Sequence, residues 1–173
     1  MIVRLAGWLA AALVAAAPAA AAAQDYPKLR PGLWEVSSRT SAQKKDDPPV
    51  RTTMCIDDAT AREMYRFSQG MMEGMCSKFD VKHIGDRYIS EANCKLGDSR
   101  MVARSTMTML GDTGYTIEGS SSYDPPFMGM KDATTSVQAR HAGPCRPGQK
   151  PGDITTANGQ TINLNTLTAP PKK

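Results

Sequence analysis

Sulfur and imidazole are the side chains in this sequence with the most chemistry to offer. Eleven methionines stand against three phenylalanines, and several are grouped: Met71, Met72 and Met75, then Met107 and Met109, then Met128 and Met130. Thioether ligands select Cu(I), and the two histidines, His83 and His141, would add imidazole to such a site. Packing is the competing explanation, because methionine is an adaptable core filler and leucine and isoleucine are scarce here. The same side chains would also suit a cavity for an apolar or lipid-like ligand.

The four cysteines, Cys55, Cys76, Cys94 and Cys145, are the other reactive set. None stands in a C-x-x-C pair, which argues against a zinc knuckle and against a thioredoxin-like redox centre. An even number in an exported chain reads as two disulfides. Motifs for catalysis are missing: the sequence has no G-x-S-x-G, no H-E-x-x-H and no Gly-rich phosphate loop. Asp57-Asp58 reads as helix capping, not as an acid pair. No enzyme and no cofactor is expected, and a hydrolase built on one histidine is the remote alternative.

Elements that would position these groups follow from periodicity. Phe79, Val81 and His83 alternate with Lys78, Asp80 and Lys82, the period of a half-buried strand. Gly85-Asp86 supplies a two-residue turn, since glycine takes positive φ without strain, and Arg87 to Cys94 returns as a second strand. That turn pairs His83 with Tyr88, Val81 with Ser90, Phe79 with Ala92 and Ser77 with Cys94. Cys76 lands beside Cys94 but one residue out of register, so a bridge there requires a bulge. Cys76 with Cys94 and Cys55 with Cys145 is the preferred pairing, and Cys55 with Cys76 across the helix is the competitor. In the chain-entropy model a loop of about 90 residues is worth roughly 4 to 5 kcal/mol when closed, against about 3 for the hairpin bridge.

Further alternation predicts strands around Trp34 to Ser38, Arg51 to Ile56, Arg100 to Met109, Tyr115 to Tyr123 and Ala133 to His141. One amphipathic helix is expected near residues 57–73, capped at Asp57 or Thr60, with Ala61, Met64, Tyr65, Ser68, Met71, Met72 and Met75 at helical spacing. The expected fold is mainly β: a curved antiparallel sheet or partly open barrel of six to seven strands, disulfide-stapled, with the helix over one face or mouth. Residues 24–145 form that single domain. Residues 146–173, rich in Pro, Gly, Thr, Asn and Lys, read as an extended or disordered tail in which Ile154 and the stretch around Ile162 are the only docking points.

Net charge is +4, and the basic residues are scattered among acidic ones. With few aromatics to stack bases, nucleic-acid binding is disfavoured. Residues 1–23 are nearly all apolar, with Arg4 their only charge, and end in Ala21-Ala22-Ala23. They read as a signal peptide cleaved after Ala23, leaving no transmembrane anchor.

These pieces, in order, resemble a known family. Pro31-Gly32-Leu33-Trp34-Glu35-Val36 opens the domain, Met54-Cys55-Ile56 leads into a helix, and Cys76 and Cys94 flank a hairpin. Gly111-Asp112 precedes Tyr115, and Ala139-Arg140 with Gly143-Pro144-Cys145 closes the pattern. The chain looks like a Gram-negative bacterial periplasmic protein of a family known only as a domain of unknown function. The resemblance implies an exported single domain rich in antiparallel strand, and it brings no reaction and no catalytic residues. The expectation is a periplasmic binding or envelope-associated protein, with Cu(I) and an apolar ligand as the sharper alternatives and no partner specified.

Overall fold

The computed structural model describes residues 26–167; the expected signal peptide lies outside them. The elements in chain order are β1 (Gly32–Thr40), β2 (Val50–Ile56), α1 (Asp58–Met75), β3 (Cys76–Ile84), β4 (Arg87–Leu96) and β5 (Ser99–Met109). They continue with β6 (Gly114–Phe127), β7 (Met130–Gly143), β8 (Asp153–Thr156), β9 (Thr161–Asn163) and α2 (Leu164–Leu167). All strands join one antiparallel sheet in the order β3-β4-β5-β6-β7-β1-β2-β8-β9. The sheet is open, with β3 and β9 at its edges.

Among the described residues nine strands, not six or seven, are present because part of the segment expected to be an unstructured tail is built into the sheet. The Cys55–Cys145 disulfide delivers the chain to the flank of β2. From there the Gly152 N–H bonds the Cys55 carbonyl at 2.8 Å, Ile154 falls opposite Met54, and Ile162 opposite Ile154. Ile154 and the stretch around Ile162 are the docking points expected from the sequence, but the polar composition did not mark two strands there, because the docking depends on a tertiary anchor and not on local pattern.

The β3–β4 hairpin has the register set by its two-residue turn: His83 opposite Tyr88, Val81 opposite Ser90, Phe79 opposite Ala92. A bulge between Cys76 and Lys78 then brings Cys76 opposite Cys94, and the two are bonded. A bulge also lies at the start of β1, where a Cβ on Gly32 would come within 2.3 Å of the Gly143 carbonyl oxygen. Glycine is needed there for the two strand ends to approach.

Alternation gives the sheet one apolar and one charged face. The apolar face carries Trp34, Met54, Ile56, Tyr115 and Ala139, which with Ala61 of α1 form the buried core. Trp34, 0% exposed, lies against Tyr115 with ring centroids 5.8 Å apart and meets His141 edge-on at 5.9 Å. Its indole N–H donates to the Arg30 carbonyl at 2.9 Å, so its polar atom is satisfied as the ring is buried. Burial also raises the Tyr115 hydroxyl above its ordinary pKa.

Helix α1 begins where Asp57 accepts the Thr60 N–H at 2.7 Å. That bond holds the Asp57 carboxylate below its usual pKa. A folded-state pKa below the unfolded one gives stability present at neutral pH and lost as pH falls through the folded value. Asp57→Ala is therefore expected to cost about 1 kcal/mol at pH 7, and the gap should narrow as pH falls below the unfolded pKa of about 3.9. Urea titrations of both proteins at pH 7 and below that pKa measure this; an equal gap at both would show that the charged cap is not the cause.

The helix leaves β2 at Ile56 and enters β3 directly at Cys76. These strands stand six positions apart in the sheet and the two junctions lie at opposite strand ends. On a flat sheet the diagonal would be roughly 50 Å, whereas 18 helical residues rise only about 27 Å. The sheet therefore twists and curls toward the helix that straps it.

Candidate ligand-binding face

The strand registers arrange the apolar face in rows that run across the strands. Tyr88, Met107, Ile117 and Val137 form one bulky row over β4 to β7. The next two rows are small: Ser90, Ser105, Gly119 and Thr135, then Ala92, Ala103, Ser121 and Ala133. Beyond them Met101 stands opposite Tyr123. Phe79 and Val81 close the side on β3. The result is a floor of small side chains, bounded by methionine, aromatic and branched residues and roughly 15 Å across four strands.

Its hydroxyls are largely paired with one another. Ser90 Oγ and Ser105 Oγ lie 2.7 Å apart, and Ser121 Oγ donates to the Tyr123 hydroxyl at 2.9 Å. Polar atoms satisfied in this way make contact with an apolar molecule inexpensive.

Helix α1 crosses this face and is packed onto it near its ends, while midway Tyr65 meets Tyr26 with ring centroids 6.2 Å apart. Ala61 and Met64 join the core at one end. At the other, Met72 Sδ lies 3.7 Å from Cys76 Sγ, next to the Cys76–Cys94 bridge. Between them Ser68, on the inner stripe of the helix, is exposed, as are Phe67 and Met71 at 38% and 42%. A helix pressed onto the floor would bury Ser68; here its middle stands off.

The opposite face has a different character. Lys78 is paired with Asp80 and Glu91, Arg104 with Glu91, and Arg140 with Glu35. The carboxylates of Asp80 and Glu91 raise the Lys78 pKa.

Of the nine residues considered for Cu(I), Met107 and Met109 lie toward the histidine end of the sheet on β5, and the other seven are not brought together. Met71 and Met75 are exposed on the last turns of α1, and Met72 leans on the disulfide. Met128, 84% exposed, lies in the β6–β7 turn, and Met130 begins β7. His83 and His141 sit at the other end of their strands, His83 stacked on Tyr88 at 4.1 Å and His141 with Nε2 3.0 Å from the Pro31 carbonyl oxygen. Four strand positions, about 19 Å along the sheet, separate the two rings. Among the described residues no three or more His, Cys, Asp or Glu side chains cluster in a metal-binding arrangement. The small-residue floor went unnoticed in the sequence, where its members look like unremarkable Ser, Ala and Gly. Only the register of four adjacent strands aligns them.

Fold and face together define an open antiparallel β-sheet domain, stapled by two disulfides and strapped by one helix. Residues 29–145 match the model of a family described as proteins of unknown function (DUF3617), and the chain belongs to that family. No curated protein and no solved structure matches it significantly. Strands β8 and β9 lie beyond the matched segment. Among the described residues no helix is long and apolar enough to cross a membrane.

Proposed function

We propose that this protein is exported to the periplasm and acts there without catalysis, as an envelope-associated binding protein that holds an apolar, acyl-chain-bearing molecule on the floor beneath α1. The observation that carries this reading is the two-row floor of small residues, flanked by bulky apolar side chains and overhung by a helix packed down near its ends. Such a trough has the shape and polarity of an alkyl chain, and its long sides are methionines and aromatics that adjust to a ligand's outline. Export is supported by the nearly uncharged residues 1–23 with their Ala21-Ala22-Ala23 end, and by two disulfides, which persist in oxidising compartments. The Cu(I) alternative gains less support, since Met71, Met72 and Met75 at the end of α1 and Met128 and Met130 at the β6–β7 turn lie at the strand ends away from the histidines, and of these groups Met107 and Met109 alone share their end of the sheet.

A fluorescent polyene fatty acid titrated into the purified protein tests the site. Saturable micromolar binding is expected. Ala103→Phe, which fills the centre of the floor, should weaken it at least about tenfold, while Ser120→Phe on the opposite face leaves it unchanged. Cu(I) titration of the same samples provides the contrast. No saturable binding by the unaltered protein, or equal binding by Ala103→Phe with an unchanged melting curve, removes the proposal.

A further inference from the structure

Edge strand β3 carries a pattern of side chains that complements itself. It is nine residues long, whereas β9 at the other edge has three. Val81 is 37% and Ile84 59% exposed, and Lys78, Asp80 and Lys82 alternate in sign along the charged face. Among the described residues no strand pairs with the outer side of β3; an edge of this length is a template for another strand, and edge charges decide which strand it accepts. In a two-fold antiparallel pair, residues opposite each other lie on the same face, so each possible centre can be examined in turn.

Centring on Asp80 sets Asp80 against its own copy and Lys78 against Lys82, both repulsive. Centring on Lys82 sets lysine against lysine. Centring on Phe79 matches Lys78 with Asp80 but draws on Cys76 to Lys78, where the bulge breaks the strand. Centring on Val81 sets Asp80 opposite the partner's Lys82 on both sides of the axis, Phe79 opposite the partner's His83, and Val81 opposite the partner's Val81. Opposite charges and apolar or aromatic pairs at facing positions stabilise a sheet. Among the described residues Lys82 has no ion pair of its own.

We propose that two copies of this chain associate through β3, antiparallel and centred on Val81, which joins their sheets into one continuous sheet. The charges that block the neighbouring registers allow this one. The proposal does not depend on the ligand assigned to the floor.

Cysteine crosslinking reads the register. Residues at the axis stand about 4.5–5.5 Å apart between Cα atoms, within disulfide range. A cysteine at position 79 would be about 14 Å from its copy, out of range. Val81→Cys should give a crosslinked dimer under mild oxidation, and Phe79→Cys little, with the native bridges verified by peptide mapping. Sedimentation of the unaltered protein should show a dimer that Asp80→Lys dissociates and that Asp80→Lys with Lys82→Asp restores, since opposite charges again face each other. Restoration by the double change separates pairing from a folding defect. A monomer at all concentrations up to hundreds of micromolar, crosslinking at position 79 as fast as at 81, or failure of the double change to restore the dimer each overturns the proposal.

Discussion

Replacing Cys55 and Cys145 together by alanine should lower the unfolding free energy by about 4 to 5 kcal/mol and Tm by roughly 15 °C. The bridge spans 90 residues, so opening it returns a large loop's freedom to the unfolded chain, and the cost grows with the logarithm of that length. There is also a folded-state contribution. Cys55 is 2% exposed, and its bridge holds the chain that becomes β8 and β9 against β2. Without it the Gly152 to Cys55 hydrogen bond and the Ile154–Met54 contact must form unaided. Replacing Cys76 and Cys94 should cost less, about 3 kcal/mol, for a separation of 18 residues. Urea unfolding followed by circular dichroism measures both. A loss below about 1 kcal/mol for the long bridge would contradict a fold that depends on its crosslinks.

Trp34→Ala should cost about 3 to 5 kcal/mol, the range for deleting a large aromatic from a packed core. The ring is the largest side chain in that core and contacts elements that are distant in sequence, Tyr115 of β6 and His141 of β7. Trp34→Phe keeps a ring against Tyr115 but loses the indole N–H to the Arg30 carbonyl, so a smaller loss of about 1 to 2 kcal/mol is expected. A second readout follows from Tyr115. Its pKa is raised by burial, so its contribution to stability is complete below the unfolded pKa of about 10 and is lost as pH rises through the higher folded value. In any Trp34→Ala protein that remains folded, ultraviolet titration should find this hydroxyl ionising closer to its ordinary pKa. An unshifted titration, or a stability loss near zero, would mean that Trp34 does not seal the core.

Local chemistry was well recorded in the sequence. The Gly85-Asp86 turn fixed the register of the β3–β4 hairpin, and the parity mismatch at Ser77 and Cys94 anticipated the bulge at Cys76 to Lys78. The alternation of Trp34 and Val36, and of Tyr115 and Ile117, marked the side chains that face the core. What stayed hidden depended on distant parts of the chain. Strands β8 and β9 exist because a disulfide and a Gly152 hydrogen bond place a polar segment beside β2. Alternation tells which face a residue joins but not which end of the sheet it occupies. His83 and His141 therefore shared a face with several methionines without sharing a site. The floor of small residues escaped for the same reason, since it belongs to four strands at once.

Strand β1 lies between β2 and β7, and its neighbours come from opposite ends of the domain. Glu35 and Arg140, paired across the β1–β7 seam, are 105 residues apart in sequence. A polypeptide lengthening from its amino terminus therefore presents Trp34 and Val36 to water with only β2 to pair with, while most of the domain is still being made. Contacts of such long range make the central seam among the last to close and the whole chain slow to fold. A nascent fragment ending before β7 would carry an uncovered tryptophan strand, a natural target for chaperones and proteases, and native structure would arrive in one late step when residues 130–143 slot in beside it.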